Sequence, residues 1–562
     1  MHLYLCGVKA SNRVRFSDWL FLLILSGVSL LLGLGRNQLF DWDEINFAES
    51  AREMLLSGNY FQVQVDFSPF WEKPPLFFWL QAGCMQLFGV NEMSARLPNA
   101  IIGIVVILSL YRIATQLVNV HFARFVSGFY LASILPHLYF KSGIIDPVFN
   151  FFIFLGIIQL IRFEQVYSKL EKSVRHIRWA APLWAGFWIG LATLTKGPVA
   201  LLIAGLTYFI YACLFFQARS FFIGVFKMMI TYTIVVGSWF GLETYLHGTW
   251  FVERFFQYQI ELFTQPVAGH EQPFYYHLVV FLVGCFPMSF FAFRGMIREE
   301  LGVENRILKT MMIIWFWLVM IIFSISKTKI LHYSSMTYYP GAFLAAFYVS
   351  KLIRKNKHPA WEVITGYVAL LLALSSAAVL LPYLGMNPDL IASRIHDKFV
   401  VAALSLQLPW SYWDMTAGAF LGILGIVALY FLVFKQYEKF IYTAAINMAI
   451  FLNLTNELIV PKIAQYTQGP AVQFFKEHSN NQIVIIPIGY KSYAHYFYGK
   501  TTPTKAKFHS NPAQLFSEEF QYPVYASAKV NDREEIMRNY PSLKHWYSSG
   551  GFDFYIKKRP EK

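Results

Sequence analysis

The sequence predicts a polytopic α-helical membrane protein of about 13 spans, followed by a small C-terminal α/β domain. Three observations predict it. Apolar residues make up 56% of the 562 and charged ones only 14%, against about 25% charged in a soluble globular chain. Apolar runs near the roughly 20 residues of a helical span recur as far as residue 459. Beyond it, short apolar segments alternate with polar turns, the pattern of strands and short helices.

The spans fall near 17–36, 97–117, 122–140, 146–163, 179–194, 197–217, 221–243, 275–294, 308–325, 335–352, 361–382, 414–435 and 438–457. The first follows Lys9, Arg13 and Arg15 and has no small-residue cleavage site after it, so it reads as an uncleaved span. The basic loops 162–178, 294–309 and 351–357 then share the side of the basic N-terminus, which the positive-inside rule makes cytoplasmic. The long loops 37–96, 244–274, 326–334 and 383–413 and the tail from 460 take the opposite side, the periplasm of a bacterial inner membrane. The net charge of +14 is thus loop charge that orients the chain and implies no nucleic acid partner. Cys6, Cys84, Cys213 and Cys285 are scattered and form neither a disulfide framework nor a CxxC motif.

In the tail, 482–490, 523–530 and 552–558 read as strands, 471–478 as a helix, and 531–540 as a helix with Asn531 and Asp532 as candidate caps. The expected division is a membrane domain, 1–459, and a periplasmic α/β domain, 460–562.

The first outer loop, 37–96, is too long for a plain connection and is built from regular elements. Asp41 and Glu44 have capping-box spacing. Ile45, Ala48, Ala51, Met54 and Leu55 recur at helical spacing until Gly58, with Glu49, Arg52 and Glu53 on the other face. This predicts an amphipathic helix in the membrane interface. Residues 61–67 alternate as an extended segment, and Pro74 and Pro75 open a second helix that runs to Gly89. Asp43, Glu72 and Lys73 therefore stand beside helices at the membrane surface, and fixed charge there suits an anionic headgroup such as a phosphate.

The run DEINFAESAREMLLSGNY, then FWEKPPLFFWLQAGCMQLFGVNEMSARLPNAIIG, resembles the bacterial membrane glycosyltransferases that use polyprenyl-phosphate sugars. The lipid A aminoarabinose transferase family is the nearer resemblance and the protein O-mannosyltransferases the more distant. The resemblance continues through GLATLTKGPVALL (190–202), GHEQPFYYHLVVFLVGCFPMS (269–289) and SISKTKILHYSSMTYYP (324–340). It implies the GT-C fold, with about 13 spans, interfacial helices in the first outer loop and a C-terminal periplasmic domain. It also implies inverting transfer of a sugar from a polyprenyl-phosphate donor to a lipid A-type acceptor, or to a protein or other surface glycan, without a nucleotide cofactor. The family's first-loop aspartate matches Asp43, its second acidic residue matches Asp146, and its EKPP motif matches Glu72 and Lys73. A divalent metal, zinc or similar, is implied at Glu72 and His270.

Glycosyl transfer needs the acceptor activated and the departing phosphate stabilised. Asp43 is the candidate base or positioning carboxylate, or else an exposed acid at a helix start. Glu72 and Lys73 pair with each other or serve the donor. Asp146 before Pro147 fits helix-start grammar as well as a site. Lys196 is a phosphate contact or a snorkelling anchor. Lys327, Lys329, His332 and Tyr333 put positive charge on the outer side, against the positive-inside rule, and favour the carrier phosphate. Arg52 and Arg96 are phosphate contacts or helix salt bridges. A lipid-linked sugar transporter or flippase is the competing class. Such folds usually show repeats and midplane charges, whereas the unusual charges here gather at one face. A non-catalytic sensor with a ligand-binding tail is a third reading, against which an intact Asp43 and EKPP argue.

Overall fold

The computed structural model describes residues 14–168, 180–265, 272–298, 300–479, 482–509, 515–517, 520 and 522–557. Each predicted span holds a helix. Among the described residues, seven helices are long and apolar enough to cross a membrane, and an apolar pair, Tyr276–Gly284 with Met288–Gly295, is bent by 115°. Phe16–Leu31 and Val199–Leu214 are apolar but shorter, at 16 residues each. The predicted span 122–140 is broken into Val120–Leu131 and Ile134–Phe140.

Two helices of this bundle fix the site. Asp146–Tyr167 packs against Ala181–Lys196, which packs in turn on Ala218–His247. The close approach of the last two needs Gly186 and Gly190. A Cβ on Gly186 would lie 2.0 Å from the Met228 carbonyl oxygen, and one on Gly190 would lie 2.8 Å from Val235 Cβ. Small residues of this kind drive helix association in lipid, where apolar burial gives no advantage. The packing brings the start of one helix, Asp146, to the end of the other, Lys196. Both charges complement their helix dipoles.

The first long loop contains the two predicted helices, Asp43–Ser57 and Leu76–Phe88. Gly58 ends the first at φ 70°, with its N–H on Met54 O. The first helix does not lie in a lipid interface as its pattern suggests, because residues 44–54 are all buried. One face packs in the membrane part. The other shares a core with the C-terminal segment, where Ile45, Ala48 and Ala51 meet Phe474, Phe475, Phe497 and Phe554. Between the two helices is a short hairpin, β1 (Gln64–Val65) with β2 (Ser68–Pro69). Its turn residues Asp66 and Phe67 have φ of 55° and 53°. Side chains rarely adopt such a backbone. Glu53 holds it by accepting both N–H groups, at 2.7 and 2.8 Å.

The capping box expected of Asp41 and Glu44 forms only in part. Glu44 reaches back to the N–H of Phe40 at 2.8 Å. The Asp41 carboxylate turns away and accepts the N–H of Tyr493 at 3.1 Å. Burial, which outweighs its hydrogen bonds to Ser492 and Tyr493, pushes the Asp41 carboxyl up to about 6.

The last membrane helix, Tyr437–Leu454, runs through a π-helical turn at Thr455–Ile459 into Val460–Thr467 and Gly469–Glu477. The sheet that follows has the order β3-β4-β6-β5. β3 (Val484–Ile488) is parallel to β4 (Val524–Lys529), and β6 (Phe552–Lys557) is antiparallel to both β4 and β5 (Lys544–Ser549). Sequence reasoning missed β5, a polar and mostly exposed edge strand without an apolar alternation. Gly550 and Gly551, at φ 54° and 85°, make the two-residue turn into β6. Asp532 precedes the helix Arg533–Asn539 but makes no side-chain cap.

One buried ion pair ties the first loop to the bundle. Arg96, in the helix Glu92–Leu117, gives Nε and Nη2 to the Glu44 oxygens at 2.7 and 2.9 Å. Its remaining N–H groups reach the carbonyls of Leu34, Asn37 and Gln38. Both side chains are at most 4% exposed. Removing one partner of a buried pair costs about 3–5 kcal/mol, because the other charge is left uncompensated. Arg96→Met is therefore expected to lower unfolding stability in detergent by about that amount. An unchanged denaturation curve contradicts this reading.

Candidate active site

A cavity of about 1150 Å³ opens where the first loop meets the bundle and the C-terminal segment. The first loop contributes Asp43, Glu72 and Lys73. The bundle contributes Asp146 and Lys196, and the turn after Val303–Ile325 contributes His332 and Tyr333. Thr455 and Asn456 of the π turn and residues 490–493 complete the wall. The first-loop and bundle groups lie as far apart in sequence as 43 and 333, and the fold unites them. A π turn beside a cavity is a recurrent functional feature.

The charges are arranged in a chain. Lys196 Nζ lies 2.6 Å from Asp146 Oδ1 and 4.8 Å from the centre of the Tyr333 ring. His332 Nε2 stands 3.6 Å from Asp146 Oδ2 and 3.6 Å from Asp43 Oδ2. Asp146 is buried and tied to Lys196, whereas the Asp43 side chain is 45% exposed to the cavity. Burial pushes His332 below its ordinary value, and the carboxylate of Asp146 opposes the shift. The imidazole thus stands between the two carboxylates, at equal distance from each.

Lys73 is the least compensated cation among these groups. Its Nζ is 3.9 Å from Glu72 and 5.4 Å from the centre of the Tyr258 ring. Burial pushes its ammonium down, against the opposing pull of Glu72 and Asp43. Such a group gains from an anionic ligand that restores its lost solvation. The alternative in which Glu72 and Lys73 serve only each other leaves the pair long, because Glu72 also hydrogen-bonds the Tyr258 hydroxyl.

Eight predicted residues, Asp43, Glu72, Lys73, Arg96, Asp146, Lys196, His332 and Tyr333, line this cavity. Arg52 and Lys329 do not. Arg52 is buried against Glu49, at 2.6 and 2.7 Å, and gives a further bond to Thr501 O. The C-terminal segment covers the face on which it stands, so Arg52 is a joint between two parts of the chain rather than a phosphate contact. Lys329 folds back on its own turn and donates to Ser326 O at 2.8 Å. His270 lies outside the described residues. His277 is buried with Nδ1 against Ser334 Oγ, and Tyr275 is exposed as an interfacial ring would be.

Sequence reasoning missed Lys141, Tyr258, Lys491 and Tyr493, all on the cavity wall. Lys141 donates to Ser29 O, Leu32 O and Asn453 Oδ1, closing the end of the first helix. A lysine at the edge of an apolar run was the signal for it. Tyr493 takes part because Asp41 draws its backbone in, which nothing in the local sequence announces.

Among the described residues, no three His, Cys, Asp or Glu side chains come together as metal ligands would. Of the two residues implied for a metal, Glu72 is on the cavity wall beside Lys73 and Tyr258.

Comparisons with known proteins agree with this architecture. The dolichyl-phosphate-mannose-protein mannosyltransferase family matches residues 72–239, a range that begins at Glu72 and includes Asp146 and Lys196. The undecaprenyl phosphate-alpha-4-amino-4-deoxy-L-arabinose arabinosyl transferase of Wigglesworthia glossinidia brevipalpis is 24% identical over 62% of this chain and 60% of its own length. That of Edwardsiella ictaluri is 24% identical over 73% of this chain and 76% of its own. The chain thus spans about 60% of the length of the first curated relatives it matches. The crystal structure of ArnT from Cupriavidus metallidurans bound to undecaprenyl phosphate superposes with a TM-score of 0.73. It is 16% identical, with 97% of this chain and 100% of that one covered. By sequence the chain is similar to lipid A aminoarabinose transferases and, over a shorter range, to the protein mannosyltransferases, and it shares the fold of ArnT.

Proposed function

We propose that the protein moves a sugar, with inversion, from a polyprenyl-phosphate donor to a lipid A-type acceptor at the periplasmic face of the bacterial inner membrane. The observation that carries this reading is a half-exposed carboxylate, Asp43, in one membrane-surface cavity with the desolvated ammonium of Lys73. The relatives' names support the donor class. The N-terminus is cytoplasmic and the C-terminal segment periplasmic, as the basic loops imply.

In the reaction the bond from the anomeric carbon to the donor phosphate oxygen breaks, and its electron pair leaves with the polyprenyl phosphate. The acceptor oxygen forms the new bond from the opposite face. A hydroxyl acceptor gives its proton to Asp43 Oδ. A phosphate acceptor brings no proton, and Asp43 then faces the positive charge that develops on the sugar ring. Lys73 offsets the charge gained by the leaving phosphate. Asp146 is held by Lys196 and keeps His332 in register with Asp43. A metal at Glu72 and His270 would add Lewis-acid stabilisation of the same phosphate. A protein acceptor is the second reading, favoured by the match of residues 72–239 to the protein mannosyltransferase family.

Asp43→Asn is expected to cut transfer by the purified enzyme by 10²-fold or more, the scale of a lost general base, while leaving the unfolding curve in place. Transfer at the wild-type rate removes Asp43 from the chemistry. Lys73→Ala should raise KM for the donor and lower kcat. Because burial lowers the Lys73 pKa, the wild type should lose donor affinity as pH rises, at a lower pH than a free lysine titrates. Lys73→Arg should flatten that profile. A pH dependence identical in wild type and Lys73→Arg contradicts the role of Lys73.

A further inference from the structure

Two histidines of the C-terminal segment stand on the cavity wall and take no part in the reaction above. His495, in the short helix Ala494–Phe497, and His509, at the end of Pro503–His509, have ring centroids 5.7 Å apart and planes inclined by 71°. Both side chains are at least nine-tenths buried. Each ring is held from one edge by an oxygen. Asp66 Oδ1 lies 2.9 Å from His509 Nδ1, and the ring of His495 hydrogen-bonds the backbone of Ser492. A carboxylate accepts, so His509 carries its hydrogen on Nδ1 and presents the lone pair of Nε2. That Nε2 and the Nδ1 of His495 are both buried and meet no hydrogen-bond partner among the described residues.

A buried acceptor nitrogen without a donor is left with its desolvation cost uncompensated, and here there are two. The pattern matches that of metal-bound histidines, whose second nitrogen donates to a carboxylate or a backbone carbonyl and so fixes the tautomer. The spacing fits as well. With metal–nitrogen bonds of about 2.0–2.1 Å, each ring centre lies about 3.2 Å from the ion, and a tetrahedral angle separates the centres by about 5.2 Å.

We propose that His495 and His509 bind one borderline divalent cation, of which zinc is the type, at the wall of the cavity. Imidazole nitrogens select zinc, nickel or copper over magnesium and calcium. Two protein ligands leave the remaining positions of the ion for water or for an oxygen of a molecule in the cavity. The ion ties the C-terminal segment to the turn of the β1–β2 hairpin through His509 and Asp66. It is separate from the cation implied for Glu72 and His270.

The test uses the full-length protein in detergent, with Glu72→Gln and His270→Gln introduced together so that only the new site is read. After stripping with a chelator and dialysis against Zn²⁺, metal analysis is expected to find one retained equivalent, and the thermal midpoint is expected to rise. Mg²⁺ should do neither. Adding His509→Gln, or His495→Gln with it, should abolish retention and the thermal shift. Co²⁺ should give a visible ligand-field band in the chain that keeps both histidines, a readout that requires no further variant to fold. Zinc retention unchanged by the histidine substitutions overturns the proposal. Failure of the chain with both histidines to take up either Zn²⁺ or Co²⁺ also overturns it, and a water between the rings then accounts for the geometry.

Discussion

The carboxylate of Glu44 sits between the first loop and the bundle and accepts four hydrogen bonds, from the N–H groups of Phe40 and Gly143 and from Nε and Nη2 of Arg96. A buried carboxylate is tolerated only when it is this fully satisfied. The same Arg96 gathers the carbonyls of Leu34, Asn37 and Gln38, which fixes the exit of the first helix. Glu44 thereby sets where the helix Asp43–Ser57 begins and how it is turned. Asp43, one residue earlier, is carried to the cavity by a neighbour that does none of the chemistry.

The division of labour among the remaining charges follows the same logic. Asp146 is consumed by Lys196 and Asp18 by Arg124, pairs that hold helices together, and Glu49 is consumed by Arg52 within one helix. Asp43 and Lys73 are left with only long contacts, at 3.6 and 3.9 Å. Groups that are positioned by others yet incompletely paired can meet a substrate without first breaking a strong bond. The fold supplies this by bringing the loop, the helix ends and the C-terminal segment to one cavity, each part held by hydrogen bonds outside it.

Much of this was legible in the residues. Apolar run length and basic loops gave the helices in order. Asp43, Glu72 and Lys73 stood out because charge beside apolar, proline-stiffened helices has no local use. Arg52 and Lys329 could not be read correctly, because their partners, Glu49 with Thr501 and Ser326, depend on which segment covers which face. The amphipathic pattern of the first-loop helix is real, but the chain's own C-terminal part covers Ile45, Ala48 and Ala51 and also Arg52, where the pattern suggests lipid and water. Asp41 was assigned to a cap that Glu44 forms alone, since a spacing rule cannot see that Tyr493 comes back to claim it. The strand β5 is hidden by its exposure and lack of apolar alternation.

The measurement that bears most directly on the account is mass spectrometry of lipid A and other surface glycans from cells with and without the protein. The account predicts that the chain adds one sugar increment to a surface acceptor, and that the increment disappears without it. Identical lipid A and glycan masses in the two cells, with the polyprenyl-phosphate sugar present in both, would contradict it.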